Sequence, residues 1–218
     1  MRPIKTAALA AALAVTGSAA LAATPAHAAT PSCGSVCTDF YNQALGGKYL
    51  SDVYRQGQAP GTPLILFQRS NNDPALDWVP SLDGTVNSIR VNDPGLVSAN
   101  LALNYGTYEA YELEYAPFGA PTGLCAGTDG PAVQNGKVSL QACGVSGATL
   151  WVVDGTPGAV TPLINGSDVS FAHPLVLDYS GSPTSVPRPQ LYVSALATYS
   201  TGTVVDGEMW GWKTGVQP

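Results

Sequence analysis

The sequence predicts an all-β domain, and three observations support this. No long stretch has the 3.6-residue apolar period of a helix, and the one short helix candidate is Thr38 to Ala44. Short runs rich in β-branched and aromatic residues recur instead, separated by Gly, Pro, Asn and Asp. A pattern of strand, turn, strand, loop and Trp then occurs three times, which predicts three similar units that share one core.

The predicted strands are all short. The clearest is Tyr111 to Tyr115, where apolar and acidic residues alternate, so we expect a half-buried strand with Glu112 and Glu114 on its solvent face. The other predicted strands are Thr62 to Phe67, Val138 to Ala142, Leu175 to Leu177 and Leu191 to Ala195.

The first 28 residues have the features of a secretory signal peptide. Arg2 and Lys5 give a positive start, Ala7 to Val15 is apolar, and Ala26-His27-Ala28 is a small-x-small cleavage site. The apolar run is too short to cross a membrane. We therefore expect a secreted, extracellular protein without a membrane span, consisting of one domain over residues 29–218.

Composition and charge disfavour several classes of function. Of 218 residues, 11% are charged, and 9 Lys and Arg against 15 Asp and Glu give a formal net charge of -6. An acidic balance without a basic run disfavours nucleic-acid binding. Outside the leader, His173 is the only histidine. Because catalytic triads and zinc sites usually need histidine, we expect no enzyme, no cofactor and no metal.

Four cysteines in an exported chain predict disulfide bonds. Three pairings are possible, and the local one joins Cys33 to Cys37 and Cys125 to Cys143. The spacing of the first pair differs from that of Cys-x-x-Cys redox sites, so we expect a structural role. A bridge from Cys125 to Cys143 would close a hairpin and stabilise the fold by about 3 kcal/mol.

The three repeat units are predicted at roughly 39–85, 108–156 and 170–213. We expect a large aromatic residue of each unit to fill the shared core. These residues are Trp78, Trp151 and Trp210. Extra residues enlarge the second unit by 93–109 and the third by 197–205.

This pattern resembles the ricin B-type lectin family, whose repeat runs Cys-Leu-Asp-Val, then Gly-x-x-Val-Gln-Leu-Trp-x-Cys, then Gln-x-Trp. The second unit matches it at Cys125, Cys143 and Trp151, and the resemblance covers roughly 39–213. It implies a β-trefoil that binds carbohydrate without catalysis, with glycans or cell-wall polysaccharide as partners. The sequence departs from the family at the Gln of Gln-x-Trp, replaced by Leu76, Thr149 and Glu208.

The same resemblance implies a sugar site in the third unit. Asp178 would accept hydrogen bonds from sugar hydroxyls, Gln190 would assist, and the ring of Tyr192 would stack on the apolar face of the sugar. Asp206 could add a last polar group.

The resemblance favours the other two units less. In the first unit it implies Asp52, Phe67 and Asn71 or Asn72, although Asp52 lies one position later than the family's Asp, which could turn it to another face. The second unit has Gly127 at the Asp position and Gln141 at the aromatic position, so we expect it not to bind.

A rival hypothesis is a secreted β-trefoil that binds a protein partner, such as a protease inhibitor. The long loops Pro80 to Val97 and Tyr179 to Pro189 would then make the contact, and the missing Gln residues favour this reading. The geometry of the third unit discriminates the two hypotheses. Convergence of Asp178, Gln190 and Tyr192 on a shallow pocket favours a lectin, whereas their burial favours the rival.

Overall fold

The computed structural model describes residues 38–68, 78–144, 147–154, 159–168, 173–179, 188–198 and 200–214. Within these ranges the strands are β1 Thr38–Asn42, β2 Tyr49–Val53, β3 Leu64–Gln68, β4 Trp78–Thr85, β5 Glu109–Tyr115, β6 Leu124–Thr128, β7 Gly136–Ala142, β8 Leu150–Val153, β9 Ile164–Asn165, β10 Leu175–Tyr179, β11 Leu191–Ala195 and β12 Trp210–Thr214. The helices are α1 Val86–Asn92 and α2 Ala99–Tyr105. In the ranges given above, neither helix has the length and apolar character needed to cross a membrane.

Six strands close a barrel. β1 pairs with β4 and β12, β5 pairs with β4 and β8, and β9 pairs with β8. A bridge between Thr161 and Trp210 joins the segment before β9 to β12. The remaining strands form three hairpins, β2–β3, β6–β7 and β10–β11. A six-stranded barrel with three hairpins is a β-trefoil, so the predicted all-β fold is confirmed, while the predicted signal peptide lies outside the described residues.

The hairpins also pair with one another. Pro63 of the first bridges to Ser139 of the second, Ile65 bridges to Gln190 of the third, and β7 pairs with β11. These pairings bring residues of different units side by side, and the candidate site lies where the hairpins meet.

A buried tryptophan lies near the start of the last strand of each unit, at the first position of β4 and β12 and the second position of β8. Trp78, Trp151 and Trp210 are at most 1% exposed and belong to one core cluster that contains residues of all three units. Each indole N–H donates to a backbone carbonyl at the third position of its unit's second strand. The acceptors are Ser51 at 3.3 Å, Ala126 at 2.9 Å and Leu177 at 2.9 Å. The predicted role of the tryptophans in the core is confirmed, and their hydrogen bonds define which positions of the units are equivalent.

Two local predictions are wrong. Residues 38–42 of the helix candidate form β1, which pairs along its whole length with β12, a partner at the other end of the chain. The proposed loop Pro80 to Val97 contains the end of β4 and all of α1. The two helices lie in an insertion between β4 and β5.

The insertion packs on the outside of the barrel and forms a second apolar cluster. Val86, Ile89, Val97 and Leu101 lie in one cluster with barrel residues of β5 and β8, among them Ala110 and Val152, and with Val176 of the hairpin strand β10. The side chain of Ser98 caps α2 by accepting the N–H of Leu101 at 3.1 Å.

The predicted bridge between Cys125 and Cys143 is present, with Cα atoms 5.0 Å apart. It joins β6 to the residue after β7, whereas Cys33 and Cys37 lie outside the described residues. Glu112 places a carboxylate oxygen near the two sulfurs, which gives a cluster of metal-ligand type. Because the disulfide occupies both sulfurs, they cannot act as thiolate ligands there.

Glu112 and Glu114 of β5, which were predicted to face solvent, also make hydrogen bonds within the protein. Glu112 accepts the N–H of Gly144 and the hydroxyl of Thr149, each at 2.6 Å, and Glu114 accepts the N–H of Gly123 at 2.6 Å. Both side chains are half-buried. They therefore tie β5 to the two ends of the disulfide-bonded hairpin.

Candidate functional site

The tryptophan hydrogen bonds identify three equivalent positions for an acidic residue. The residue that follows each carbonyl acceptor is Asp52, Gly127 or Asp178. The residue opposite it in the hairpin is Ile65, Ser139 or Tyr192. The third unit is therefore the one in which an aspartate faces an aromatic ring.

Hydrogen bonds hold Asp178 and Tyr192 together on the outer face of the β10–β11 hairpin. The Tyr192 hydroxyl donates to Oδ2 of Asp178 at 3.1 Å, and the Ser194 hydroxyl donates to the same oxygen at 2.9 Å. The N–H of Tyr179 donates to Oδ1 at 2.7 Å. Burial, and then the charge of Asp178, raise the pKa of Tyr192 to about 12. The phenol therefore stays protonated at neutral pH, and its ring is held in one orientation.

Glu208 is a further member of this hydrogen-bond network. It lies two residues before Trp210, where the lectin pattern has Gln, and it is 4% exposed. Its Oε2 accepts the N–H of Ala197 at 2.7 Å, and its Oε1 lies 3.4 Å from the hydroxyl oxygen of Ser194, whose shorter hydrogen bond goes to Asp178. Burial raises the pKa of Glu208; the Ala197 hydrogen bond opposes this shift, and the charge of Asp178 adds to it. The sequence had indicated only a departure from the family at this position.

Gln190 and Tyr192 line a cavity of about 280 Å³ together with Asn135 and Lys137. Lys137 is the direct partner of Tyr192 across β7 and β11, so Lys137, Tyr192 and Asp178 form a row across three strands. Asp178 does not line this cavity. It is linked to the cavity only by its hydrogen bond with the hydroxyl of Tyr192. Sequence reasoning missed Asn135 and Lys137 because they belong to the second unit.

A larger cleft of about 610 Å³ adjoins this cavity, and we call it the cap cleft. All three hairpin regions contribute to its wall. Its lining includes Pro63, Thr128, Asp129, Lys137, Ser139, Gln141 and Gln190. Lys137 and Gln190 line both spaces.

The first unit does not assemble the residues that the resemblance suggested. Asp52 is equivalent to Asp178 and so is not displaced by one position, but it is buried at 7% exposure and faces Ile65. Phe67 is opposite Leu50, and the Arg188 guanidinium lies 5.0 Å from the centre of its ring. A cation thus covers the ring that would have stacked on a sugar. Asn71 and Asn72 lie outside the described residues.

The second unit has no room for an aspartate. A Cβ atom on Gly127 would lie 2.9 Å from the carbonyl oxygen of Ala148 and 3.0 Å from Cγ2 of Thr149. The residue opposite Gly127 is Ser139, since Gln141 is opposite Cys125. In the third unit, Asp206 is exposed in a short 3-10 turn.

Comparisons with known proteins show the fold. No protein-family model matches the chain, and no curated protein sequence matches it. A mosquitocidal holotoxin is 14% identical with a TM-score of 0.54; the match covers 82% of this chain but spans only 17% of the toxin. The designed three-fold symmetric protein ThreeFoil is 14% identical with a TM-score of 0.51, covering 81% of this chain and 96% of ThreeFoil.

An earthworm R-type lectin C-half, solved in complex with GalNAc, is a more distant likeness. It is 11% identical with a TM-score of 0.44, and the match covers 82% of this chain and 98% of the lectin. At these identities the likenesses concern the arrangement of the backbone, and the function has to be argued from the site itself.

Proposed function

We propose that the protein is a secreted, non-catalytic, lectin-like protein that binds carbohydrate through its third unit. The observation that carries the proposal is the Tyr192 ring, fixed by Asp178 and lining a shallow cavity with Gln190. A sugar offers hydroxyls for a carboxylate and an amide, and an apolar C–H face for an aromatic ring.

The hydrogen bonds of Asp178 suit a positioning role. Its carboxylate accepts the hydroxyls of Tyr192 and Ser194 and the N–H of Tyr179. Because Asp178 does not line the cavity, its part in binding is to hold the Tyr192 ring in place. Secretion is supported by the predicted signal peptide and by the Cys125–Cys143 disulfide, which is typical of oxidising compartments.

The rival protein-interaction role has less support. One of its two proposed loops, Pro80 to Val97, is instead strand and helix, and its Val86, Ile89 and Val97 are buried against the barrel. Most of the other, Tyr179 to Pro189, lies outside the described residues. The lectin hypothesis, by contrast, has a described site.

A glycan array followed by titration calorimetry tests the proposal. We expect the wild type to bind a sugar, Asp178→Ala to lose binding, and Tyr192→Ala to bind about tenfold more weakly because the stacking platform is gone. Tyr54→Ala is the matched control, since Tyr54 is an exposed tyrosine of the first unit. Wild-type protein that binds no glycan on a broad array, or Tyr192→Ala with unchanged affinity, would contradict the proposal.

A further inference from the structure

We propose that the ligand is an acidic oligosaccharide that extends from Tyr192 across Lys137 into the cap cleft. This inference rests on the proposed carbohydrate-binding function and adds to it the length and the charge of the ligand.

The length follows from the continuity of the two spaces. Lys137 and Gln190 line both the 280 Å³ cavity beside Tyr192 and the 610 Å³ cap cleft. A ligand on Tyr192 that continues past these two side chains therefore enters the cleft directly. The volume of the cleft lies within the range of about 300–1,000 Å³ typical of small-molecule sites, so it can hold further sugar units.

The lining of the cap cleft suits a chain of sugars. The amides of Gln141 and Gln190 can exchange hydrogen bonds with sugar hydroxyls, and the buried hydroxyl of Ser139 accepts the Gln141 amide at 2.8 Å and so orients it. Pro63 and Pro131 add apolar surface to the same wall, which can pack on C–H groups of the ring.

The charge follows from Lys137. Its side chain is exposed at the junction of the two spaces, and no carboxylate of the described residues forms an ion pair with it. An ammonium donor forms its strongest hydrogen bonds with an ionised acceptor, so a sugar carboxylate is the group that fits this position. The whole chain has a net charge of -6, and the carboxylate of Asp129 also lines the cap cleft, so the surroundings do not attract anions in general. A preference for acidic sugars would therefore arise locally, at Lys137.

Calorimetric titration with matched sugars tests the inference, using trimers of galactose and of galacturonic acid. We expect the wild type to bind the acidic trimer about two- to fivefold more tightly than the neutral one, the gain typical of one exposed ion pair. Lys137→Met should remove this difference while keeping affinity for the neutral trimer, and Lys137→Arg should restore it. Lys48→Met, which removes an exposed lysine that does not line either space, is the control.

Each other outcome is decisive. Equal binding of the two trimers by the wild type, or the same loss in Lys137→Met and Lys48→Met, overturns the inference and leaves the proposed function standing. An acidic trimer that binds no more tightly than galacturonic acid itself overturns the extension into the cap cleft. Wild-type protein that binds no glycan at all overturns the proposed function and, with it, the inference.

Discussion

The carboxylate of Asp178 is the centre of the hydrogen-bond network in the third unit. It accepts the hydroxyls of Tyr192 and Ser194, and Ser194 also lies within hydrogen-bond distance of Glu208. One hydroxyl carries one proton, so it cannot donate to both carboxylates at once. Burial and the charge of Asp178 both favour the protonated form of Glu208, which raises its pKa.

Replacing Glu208 with Gln should change how stability depends on pH. Because the pKa is higher in the folded state than in the unfolded state, Glu208 contributes most stability below its ordinary pKa of about 4.3, and this contribution is lost as pH rises through the folded pKa. Gln keeps an acceptor for the N–H of Ala197 without the charge. We therefore expect the unfolding free energy of Glu208→Gln, relative to wild type, to rise as pH increases from about 4 to about 7.

Urea unfolding across that pH range measures the difference. Asp206→Asn is the control, since it removes the same charge at an exposed position of the same 3-10 turn. A constant difference in unfolding free energy between Glu208→Gln and wild type at every pH would contradict the assignment.

The helical insertion depends on its contacts with the barrel. Each helix has seven residues, too few to be stable alone in water. Ser98 donates to the backbone carbonyl of Asp168, and the chain at Leu96 lies directly on Gly147. A Cβ atom on Gly147 would overlap the carbonyl oxygen of Leu96, so glycine is required at this contact.

Gly147→Ala should weaken the packing of the helical insertion against the barrel. The overlap is with backbone, which cannot rotate away, so we expect a loss of about 2 kcal/mol of unfolding free energy. Amide hydrogen exchange of α1 and α2 should rise more than that of the barrel strands. Gly207→Ala is the control, because a Cβ atom there meets only the Tyr179 hydroxyl at 4.0 Å. Unchanged exchange in α1 and α2 would show that the contact does not hold the insertion.

Local patterns predicted the elements whose partners are close in sequence. The Cys125–Cys143 bridge closes a hairpin of adjacent strands, and the alternation of Tyr111 to Tyr115 gave β5. β1 was missed because it pairs with β12, about 170 positions away. The two short helices were not predicted because their local signals are weak. Neither has an acidic residue in its first turn, and the N-cap Ser98 is the one start signal of α2.

The candidate site was predictable in part for the same reason. Asp178 and Tyr192 face each other within one hairpin, so repeat spacing could place them. Lys137 lies beside Tyr192 because β7 pairs with β11. This pairing joins two units that are distant in sequence, and no local sequence pattern indicates it. The position of Phe67 depended on register, and it is two residues beyond the partner of Asp52, which is Ile65.

At the scale of the whole molecule, the three units share their core but differ at their surfaces. The same indole-to-carbonyl hydrogen bond recurs in each unit. The equivalent surface pairs have diverged to Asp52 with Ile65, Gly127 with Ser139, and Asp178 with Tyr192. The repeat therefore determines the fold, and the candidate site depends on the third unit and its contact with the second.

Because the three units share one core, we expect the protein to unfold in a single transition, and replacing any of the three tryptophans should destabilise the whole domain. Trp78→Phe, Trp151→Phe and Trp210→Phe should each lower the unfolding free energy by about 2 kcal/mol, since each leaves a buried carbonyl without its donor. The half-buried Trp212, changed to Phe, should cost less. Urea unfolding followed by circular dichroism and by fluorescence of the remaining tryptophans should give coincident, single transitions with unchanged slopes. A second transition in any of the three core variants would mean that one unit unfolds separately from the others.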